Sequence, residues 1–448
     1  MAPGKIDYNA LRAQTMGTGN DEEAVTVNTR ALIDKILARY AGEWTVLREL
    51  LQNAADASAS QVTIKFETIP STSVPVPQTS DSSALLRHTL LHHTLKRLIV
   101  TNDGQVFGAN DWSRLKRIAE GNPDETKIGA FGVGFYSVFA DCEEPFVSSG
   151  NEAMAFYWKG NSLFTRRLQM TDEQLGTNTS FVLDYRNNTS PVPGLLPLSQ
   201  FLASSITFTG LGNIELWLDD WKIFSLTKLV APGMEIKVPK SLETKTPEGL
   251  MQVASVTREM SQLDAKWLNI IAWKPKALHN NGVHGMSGNA VKGTASGQTL
   301  RTFFSRFSAS SNITAEKAAK EERIAQEAIV EDLLGECKGT VFLHTHNATI
   351  RTSCSKSFSQ ELERATKKPP PRSTTIAVLT SSLDEQTAST STAVGTASTV
   401  MDIFNSVLPS RSGRIYIGFP THQTTGLNAH ISTRSIIPTV ERSSIGEI

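Results

Sequence analysis

Three polar residues recur at helical spacing between Trp44 and Ser58, namely Glu49, Asn53 and Asp56. At about 100° per residue, with Glu49 set to zero, Asn53 lies at about 40° and Asp56 at about 340°. The apolar residues of this segment occupy roughly 60° to 200°, so the polar stripe borders the face that a helix would bury. A carboxylate in that position needs a partner, and a nucleotide, a divalent cation or ordered water would serve. Since a short motif is a hypothesis until its context is known, the alternative is an ordinary amphipathic helix.

A short acidic turn follows a predicted strand. The strand covers Leu98-Ile-Val100, and the turn Asn102-Asp103-Gly104 comes soon after it. A carboxylate at a strand end can accept a hydrogen bond from an amine of a ligand. The glycine lets the backbone turn sharply or come close to a ring. Taken by itself, the pattern is also typical of an ordinary hairpin-type turn.

Three glycines then precede an apolar segment that is predicted to be helical. The text is Gly129-Ala-Phe-Gly132-Val-Gly134-Phe-Tyr-Ser-Val-Phe139, which we call the glycine segment. Bare backbone amides and the amino end of a helix attract phosphate oxygens, so this is a candidate phosphate-binding loop. No Gly-Lys-Ser/Thr follows, and the strand-to-helix turn of a dinucleotide fingerprint is missing from the sequence. The segment is therefore neither a Walker A loop nor a dinucleotide-binding turn.

The elements that must position these residues are predicted from periodicity. Apolar residues at helical spacing predict a helix from Asn28 and a second helix over Trp44 to Ser58. Ile69 to Ser83 is rich in Pro, Ser and Thr and is predicted to be a surface insertion. Strands that appear in blocks between helices favour an α+β layer over a strictly alternating α/β fold. The predicted strands are Val62–Phe66, Leu98–Val100, Ala155–Trp158, Ser180–Leu183 and Asn213–Leu218.

Composition excludes several broad classes of protein. The 448 residues contain 44 Lys+Arg and 44 Asp+Glu, so a net charge of zero excludes an overall basic nucleic-acid binder. A hydrophobic content of 39% is enough to bury a core. The 3 cysteines are too few for a disulfide scaffold. Neither a transmembrane run nor a secretory signal is predicted. We expect an intracellular protein, cytoplasmic or nuclear, that does not bind membranes.

In order and spacing, the three motifs resemble the GHKL superfamily, whose members share the Bergerat ATP-binding fold. The amino-acid sequence of the glycine segment is similar to that of the ninety-kilodalton heat-shock chaperones and of sacsin. Gly176-Thr177, just before the predicted strand Ser180–Leu183, is similar to the Gly-Thr that closes the adenine pocket in this superfamily. The resemblance covers approximately residues 28–190. It implies an α+β fold, a two-layer sandwich with a mixed sheet and helices on one face.

The resemblance implies a role for each matching side chain. Glu49 would act as general base on the attacking water, a role worth about 10²–10⁴ in rate. Asn53 would ligate Mg²⁺, which bridges phosphate oxygens. Asp103 would bind the adenine amine, with Asp56 and Thr177 in support. ATP and Mg²⁺ are therefore the implied ligands, and hydrolysis to ADP and phosphate is the implied reaction.

The glycine segment and its neighbours would hold the phosphates. Lys127 precedes the segment and could reach the terminal phosphate, with a solvated lysine as the alternative. Gly104 belongs to the predicted site through its turn. The residues that would line the phosphates with their backbone are Gly129, Gly132, Val133, Gly134 and Phe135.

A second region is predicted after the first. Residues 275–300 are predicted to be a flexible connection and Thr314 to Leu334 a helix. Later strands are predicted at Gly339–His344, Thr375–Leu379 and Arg414–Phe419. The sequences of Gly418–Gly426 and Pro438–Arg442 resemble those of the sacsin-like proteins of fungi. We therefore predict a flexible segment (1–27), an ATP-binding domain (28–240), a linking segment with a helix (241–335) and a second, smaller α+β domain that may be truncated at its carboxyl end (336–448).

Two departures from the superfamily pattern keep alternatives open. Gly104 is followed by three residues before Gly108, and the stretch from Ala119 to Ile128 that corresponds to the lid is short. Because lid closure completes such sites, nucleotide binding is better supported than ATP turnover.

Three hypotheses for the function stay open. The first hypothesis is a sacsin-like chaperone or protein-quality-control ATPase with protein clients or co-chaperones and a nucleotide-dependent dimer. The second is a nucleotide-gated interaction or scaffold module with little or no hydrolysis. The third is a chromatin ATPase similar to the MORC proteins, a hypothesis that the net charge of zero does not support.

Overall fold

The computed structural model of the protein describes Arg12 and residues 27–38, 42–118, 134–171, 176–273, 333–366, 369–380, 402–409 and 413–433. Two 3₁₀ helices lie within these ranges, over Gly134–Ala140 and Asn269–Ala272. The α-helices are α1 (Thr29–Leu37), α2 (Thr45–Asp56), α3 (Ser82–His92), α4 (Ala109–Arg114), α5 (Leu195–Ile206) and α6 (Lys356–Thr366).

The strands of the described ranges all belong to one sheet. The strands of the first part are β1 (Gln61–Ile69), β2 (Thr94–Asn102), β3 (Phe146–Ser149), β4 (Glu152–Lys159), β5 (Ser162–Gln169), β6 (Thr179–Asp184), β7 (Asn213–Leu218) and β8 (Trp221–Val230). Those of the second part are β9 (Met234–Ile236), β10 (Met251–Leu268), β11 (Glu336–Thr352), β12 (Ser373–Thr380), β13 (Arg414–Ile417), β14 (Phe419–Thr424) and β15 (Ala429–Thr433).

The sheet is mixed. Its spatial order is β14-β13-β15-β12-β11-β10-β8-β7-β1-β2-β6-β3-β4-β5, and β9 pairs with β10. Strand β1 runs antiparallel to β2 and parallel to β7. The five strands predicted for the first region are confirmed as parts of β1, β2, β4, β6 and β7.

Helices cover one face of the central strands. In β1, Val62, Ile64 and Phe66 are buried, whereas Thr63 and Lys65 between them are partly exposed. This period of two places the buried set on one side of the sheet. Helices α2 and α5 contribute to the same buried cluster as these strand residues. The layered arrangement confirms the predicted α+β class with a mixed sheet.

Capping and turn residues account for the ends of several elements. Asn28 caps α1 by accepting a hydrogen bond from the Ala31 amide at 3.1 Å, which confirms the helix predicted from Asn28. Asp81 caps α3 in the same way through Ser83, at 3.0 Å. Helix α3 was not predicted. It begins at Ser82, at the end of the segment that was expected to be a surface insertion. The strand predicted over Arg414–Phe419 is divided into β13 and β14 at Gly418, whose φ of +71° favours glycine.

The second part continues the sheet of the first. Strand β10 pairs with β8 on one side and β11 on the other, both antiparallel. It lies in the segment that was predicted to link two domains, and the sequence analysis did not foresee it. The domain boundaries themselves stay a prediction. The predicted connection at 275–300 and most of the helix over 314–334 lie outside the described residues.

Helix α5 touches both parts. The ring of Phe208, two residues beyond α5, packs edge-on against Tyr416 of β13 with centroids 4.8 Å apart. The Gln200 side chain donates to the Asp402 carbonyl at 2.8 Å, and the Ser406 hydroxyl donates to the Gln200 carbonyl at 2.9 Å. These contacts join Asp402, Ser406 and Tyr416 to the helix layer.

Candidate functional site

Helix α2 holds the polar stripe at the edge of the core. Glu49 is 4% exposed, and Asn53 and Asp56 are half-buried. The apolar side of the same helix is buried against the sheet through Leu47, Leu50, Leu51 and Ala54. The predicted geometry of this helix, a polar stripe beside a buried face, is therefore confirmed.

The glycine segment lies directly against the carboxylate of Glu49. A Cβ atom added at Gly134 would overlap Glu49 Oε2, so the backbone can come this close because the residue has no side chain. The Glu49 Oε1 atom lies 3.6 Å from the Arg48 guanidinium. The first turn of the 3₁₀ helix and the middle of α2 thus meet at one buried carboxylate.

The turn after β2 lies against the carboxyl end of the same helix. A Cβ atom at Gly104 would lie 2.9 Å from both the Cβ and the carbonyl oxygen of Ala57, which directly follows α2. The Gln105 amide donates to that carbonyl oxygen at 2.8 Å. The described parts of the three predicted motifs therefore meet at α2 or at Ala57, which directly follows it.

Asp103 is exposed, and its carboxylate is committed to the start of β1. It accepts hydrogen bonds from the amides of Ser60 and Gln61, both at 2.8 Å, and from the Ser60 hydroxyl. Desolvation raises the pKa of the Asp103 carboxyl, but these hydrogen bonds outweigh it and hold the pKa below its ordinary value. The carboxylate that was predicted to bind a base thus joins the end of β2 to the start of β1 by hydrogen bonds.

Asn102, which the sequence analysis did not single out, is the buried polar residue at this strand end. It is 4% exposed, and its Oδ1 accepts a hydrogen bond from the Gly104 amide at 3.1 Å. Leu98 and Val100 are buried on the same side of β2. The strand period of two, continued from these apolar residues, was the signal that could have identified Asn102.

Thr177 lies outside β6 and is exposed, and its hydroxyl donates to Asn178 Oδ1 at 3.3 Å. The buried threonine of this strand is Thr179, which pairs with Asn102 across β2 and β6. Its hydroxyl lies 2.6 Å from that of Ser149. The predicted role of Thr177 in closing a pocket stays a prediction.

Phe135 anchors the glycine segment in the core. Its ring packs against Phe156 with centroids 5.2 Å apart and against Phe181 at 6.2 Å. The Tyr136 hydroxyl donates to the Leu115 carbonyl at 2.9 Å. The remaining predicted phosphate-binding residues, namely Lys127, Gly129, Gly132 and Val133, lie outside the described residues.

An apolar cavity of about 230 Å³ lies under the amino end of α2, away from Asp56. Trp44, Leu47 and Leu98 line it, together with Cys142. Burial raises the pKa of the Cys142 thiol to about 11, so this thiol stays protonated at neutral pH. In the part of the chain that is described, no cluster of His, Cys, Asp or Glu is arranged to hold a metal ion by itself.

Comparison with known families decides where the chain belongs. A family model described as "Protein of unknown function (DUF3684)" matches residues 206–446, more than half of the chain. The chain belongs to this family. A second model, described as "Sacsin domain", matches residues 26–190, which contain the polar stripe, the β2 turn and the glycine segment.

Two curated relatives match parts of the chain. Sacsin of Homo sapiens is 30% identical over 119 residues, which are 26% of this chain and 2% of sacsin. Chaperone protein HtpG of Chlorobium phaeobacteroides is 31% identical over 155 residues, which are 31% of this chain and 24% of HtpG. The chain thus spans a small share of either relative. Its amino-terminal part is similar to the sacsin domain and to HtpG.

No helix among the described residues has both the length and the apolar character needed to cross a membrane.

Proposed function

We propose that the chain binds ATP and Mg²⁺ where α2, the end of β2 and the glycine segment meet. The observation that carries the proposal is the approach of Gly134 to the buried carboxylate of Glu49. This contact brings the backbone amides at the start of the 3₁₀ helix and a proton acceptor to one place, where a nucleotide could reach both. The matches to the sacsin domain and to HtpG support the same reading.

The donor set of α2 suits a magnesium ion held largely by a nucleotide. The amide oxygen of Asn53 is a hard ligand of the kind that Mg²⁺ accepts. The ion would take its other ligands from phosphates and water, as Mg²⁺ commonly does. Bound there, it would offset the phosphate charge, while Asp56 would accept hydrogen bonds from the nucleotide or from water.

The chain would hydrolyse ATP to ADP and phosphate, with Glu49 accepting the proton of the attacking water. We expect Glu49→Gln to lose about 10²–10⁴ in turnover, because the amide cannot act as the base. Its affinity for Mg-ATP should be retained, since shape and burial are conserved. Turnover and calorimetric titration of the full chain measure both quantities.

Glu43→Gln is the matched control for that experiment, because Glu43 is exposed and lies just before α2. It should leave both quantities unchanged. Turnover in Glu49→Gln equal to that of the wild type would reject Glu49 as the base.

A second candidate is a nucleotide-gated interaction or scaffold module with little or no hydrolysis. The ion pair between Arg48 and Glu49 at 3.6 Å favours it, because one of the two carboxylate oxygens faces a guanidinium instead of an attacking water. Micromolar Mg-ATP binding without turnover in the wild type would select this candidate. Turnover that appears in Arg48→Ala would show that the ion pair restrains Glu49.

The related HtpG carries the name of a chaperone, and we propose that this chain likewise engages protein clients or co-chaperones. ATP would shift the balance between two conformations with different affinities for a client, with or without dimer formation. Suppression of the aggregation of an unfolded test protein, with and without Mg-ATP, tests this. Equal suppression under both conditions would mean that nucleotide does not control client binding.

A further inference from the structure

The sheet face that lies away from α2 and α5 carries a polar cleft. Ile214 and Leu216 of β7 are buried on the helix side of the sheet. Asn213 and Glu215 alternate with them and are half-buried, so they lie on the other side. A cleft of about 340 Å³ opens there over β7, β8, β10 and β11. The sheet therefore separates this cleft from the proposed nucleotide site.

Two lysines lie side by side in this cleft. Lys266 of β10 and Lys338 of β11 are directly opposed in the antiparallel ladder, and both are exposed. Like charges in such a position repel each other, because their Cβ atoms are only about 4.5–5.5 Å apart. Neither side chain makes a hydrogen bond or an ion pair with any residue that the structure describes. The cleft thus holds two positive charges that no described acid neutralises in a contact.

Two acids on the same face of the sheet are engaged by other groups. Glu215 accepts a hydrogen bond from the ammonium group of Lys222 at 3.2 Å. Asp264, two residues before Lys266 in β10, accepts a hydrogen bond from the Thr340 hydroxyl at 2.6 Å. Neither carboxylate turns to the lysine pair, which leaves that pair available to an anion from outside the chain.

Neutral polar side chains complete the lining. Ser225 of β8 is in register with Lys266 and with Glu215. Thr227 is in register with Asn213. The hydroxyls of these two β8 residues and the amide of Asn213 make no side-chain hydrogen bond within the described ranges. Hydroxyl and amide donors beside ammonium groups are suited to the oxygens of a phosphate group.

We propose that this cleft binds the phosphate group of a small phosphate monoester, held by Lys266 and Lys338 with a hydrogen bond from Ser225. Such a group carries nearly two negative charges at neutral pH, which matches the two lysines. Glu336 lines the same cleft two residues before Lys338, where it can accept hydrogen bonds from hydroxyl groups of the ester. The volume of about 340 Å³ is at the lower end of small-molecule sites, which suits a ligand of this size.

Calorimetric titration of the nucleotide-free full chain with glycerol 3-phosphate at low salt tests the proposal. We expect saturable binding by the wild type. The double variant Lys266→Gln with Lys338→Gln should bind at least about tenfold more weakly, because both charge-assisted contacts are lost. Each single substitution should give part of that loss. Lys237→Gln, at an exposed lysine that directly follows β9 and does not line the cleft, is the matched control.

The melting temperature gives a second readout. A ligand stabilises the folded state that binds it, so glycerol 3-phosphate should raise the melting temperature of the wild type and of Lys237→Gln, but not that of the double variant. Glycerol, which lacks the phosphate, should have no such effect. Circular dichroism verifies that each variant is folded, and both lysines of the cleft are exposed, so we expect their substitution to be tolerated.

The outcomes separate this cleft from the nucleotide site. Binding that persists in the double variant, or no saturation by the wild type at millimolar concentration, would overturn the proposal. An equal rise in melting temperature with potassium chloride at the same ionic strength would reduce the effect to charge screening and overturn it as well. The double variant should keep the affinity of the wild type for Mg-ATP. A parallel loss of Mg-ATP affinity would mean that the two sites are one, whereas failure of the cleft alone leaves the proposed ATP binding intact.

Discussion

The two parts of the sheet differ in what covers them. In the covered half, which consists of β1, β2, β6 and β7 under α2 and α5, buried and partly exposed residues alternate. In the extension, which consists of β10 and β11, none of the residues from Met251 to Met260 is buried, and alternation begins at Ser261. The hydrogen-bonded ladder is continuous through both. Hydrogen bonding between strands therefore forms the sheet in both parts. The buried core and the candidate site lie where helices pack on the sheet.

The largest expected effect is a contrast between the two parts. Leu51 of α2 is 0% exposed, and Met260 of β10 is 46% exposed. Leu51→Ala should lower the free energy of unfolding by about 2–5 kcal/mol through lost burial and the cavity it leaves. Met260→Ala should change it by less than about 0.5 kcal/mol. Urea unfolding measures both, and similar losses would contradict the contrast.

The second prediction concerns acid sensitivity in β15, which lies beyond the extension in the sheet. His430 of β15 is buried, and burial, aided by Arg414, lowers its pKa to about 4. The unfolded chain has a histidine pKa of about 6.5 and binds the proton more readily. Stability is therefore complete above pH 6.5 and falls as the pH drops toward 4, by at most about 1.4 kcal/mol per pH unit.

Urea unfolding at about pH 7, 5.5 and 4.5 measures this slope. His430→Asn keeps an acceptor for the Arg414 amide, which now donates to His430 Nδ1 at 2.8 Å, and should flatten the slope. His346→Asn, at a half-buried position of β11, is the matched control. An unchanged slope in His430→Asn would assign the acid sensitivity to other groups.

The third prediction sharpens the comparison inside the covered half. Gly134→Ala would place a methyl group on the carboxylate of Glu49 and should cost about 1–3 kcal/mol. Gly210→Ala meets no atom within 4 Å and is the control. In a double-mutant cycle, Glu49→Ala should relieve much of the Gly134→Ala cost, with a coupling of about 0.5–3 kcal/mol. Strict additivity would show that the two residues do not touch.

The sequence predicted several of the strands that bury one face, although it missed β8 and helix α5. Val62–Phe66 and Asn213–Leu218 alternate because helices cover one side, and both are strands. Strand β10 was missed as a whole, and in its first half no residue is buried and no apolar period is present. Helix α3 was missed because the Pro- and Ser-rich text before it resembles a loop.

The candidate site was predicted in its composition but not in its contacts. The stripe on α2 follows from spacing within one helix, which sequence reveals directly. The approach of Gly134 to Glu49 joins residues far apart in the chain, and nothing local encodes it. At the β2 turn, the sequence analysis singled out Asp103, whose role stays a prediction, and it did not foresee that the neighbouring Asn102 is the buried polar residue.

The packing of Phe208 against Tyr416 has a practical consequence for anyone who shortens the chain. A fragment that stops before β13 would keep every residue of the polar stripe. It would also remove Tyr416 and so expose the ring of Phe208 beside α5. Apolar surface uncovered in this way promotes self-association. Fragments intended for ligand measurements should therefore extend through Thr433, the last residue of β15.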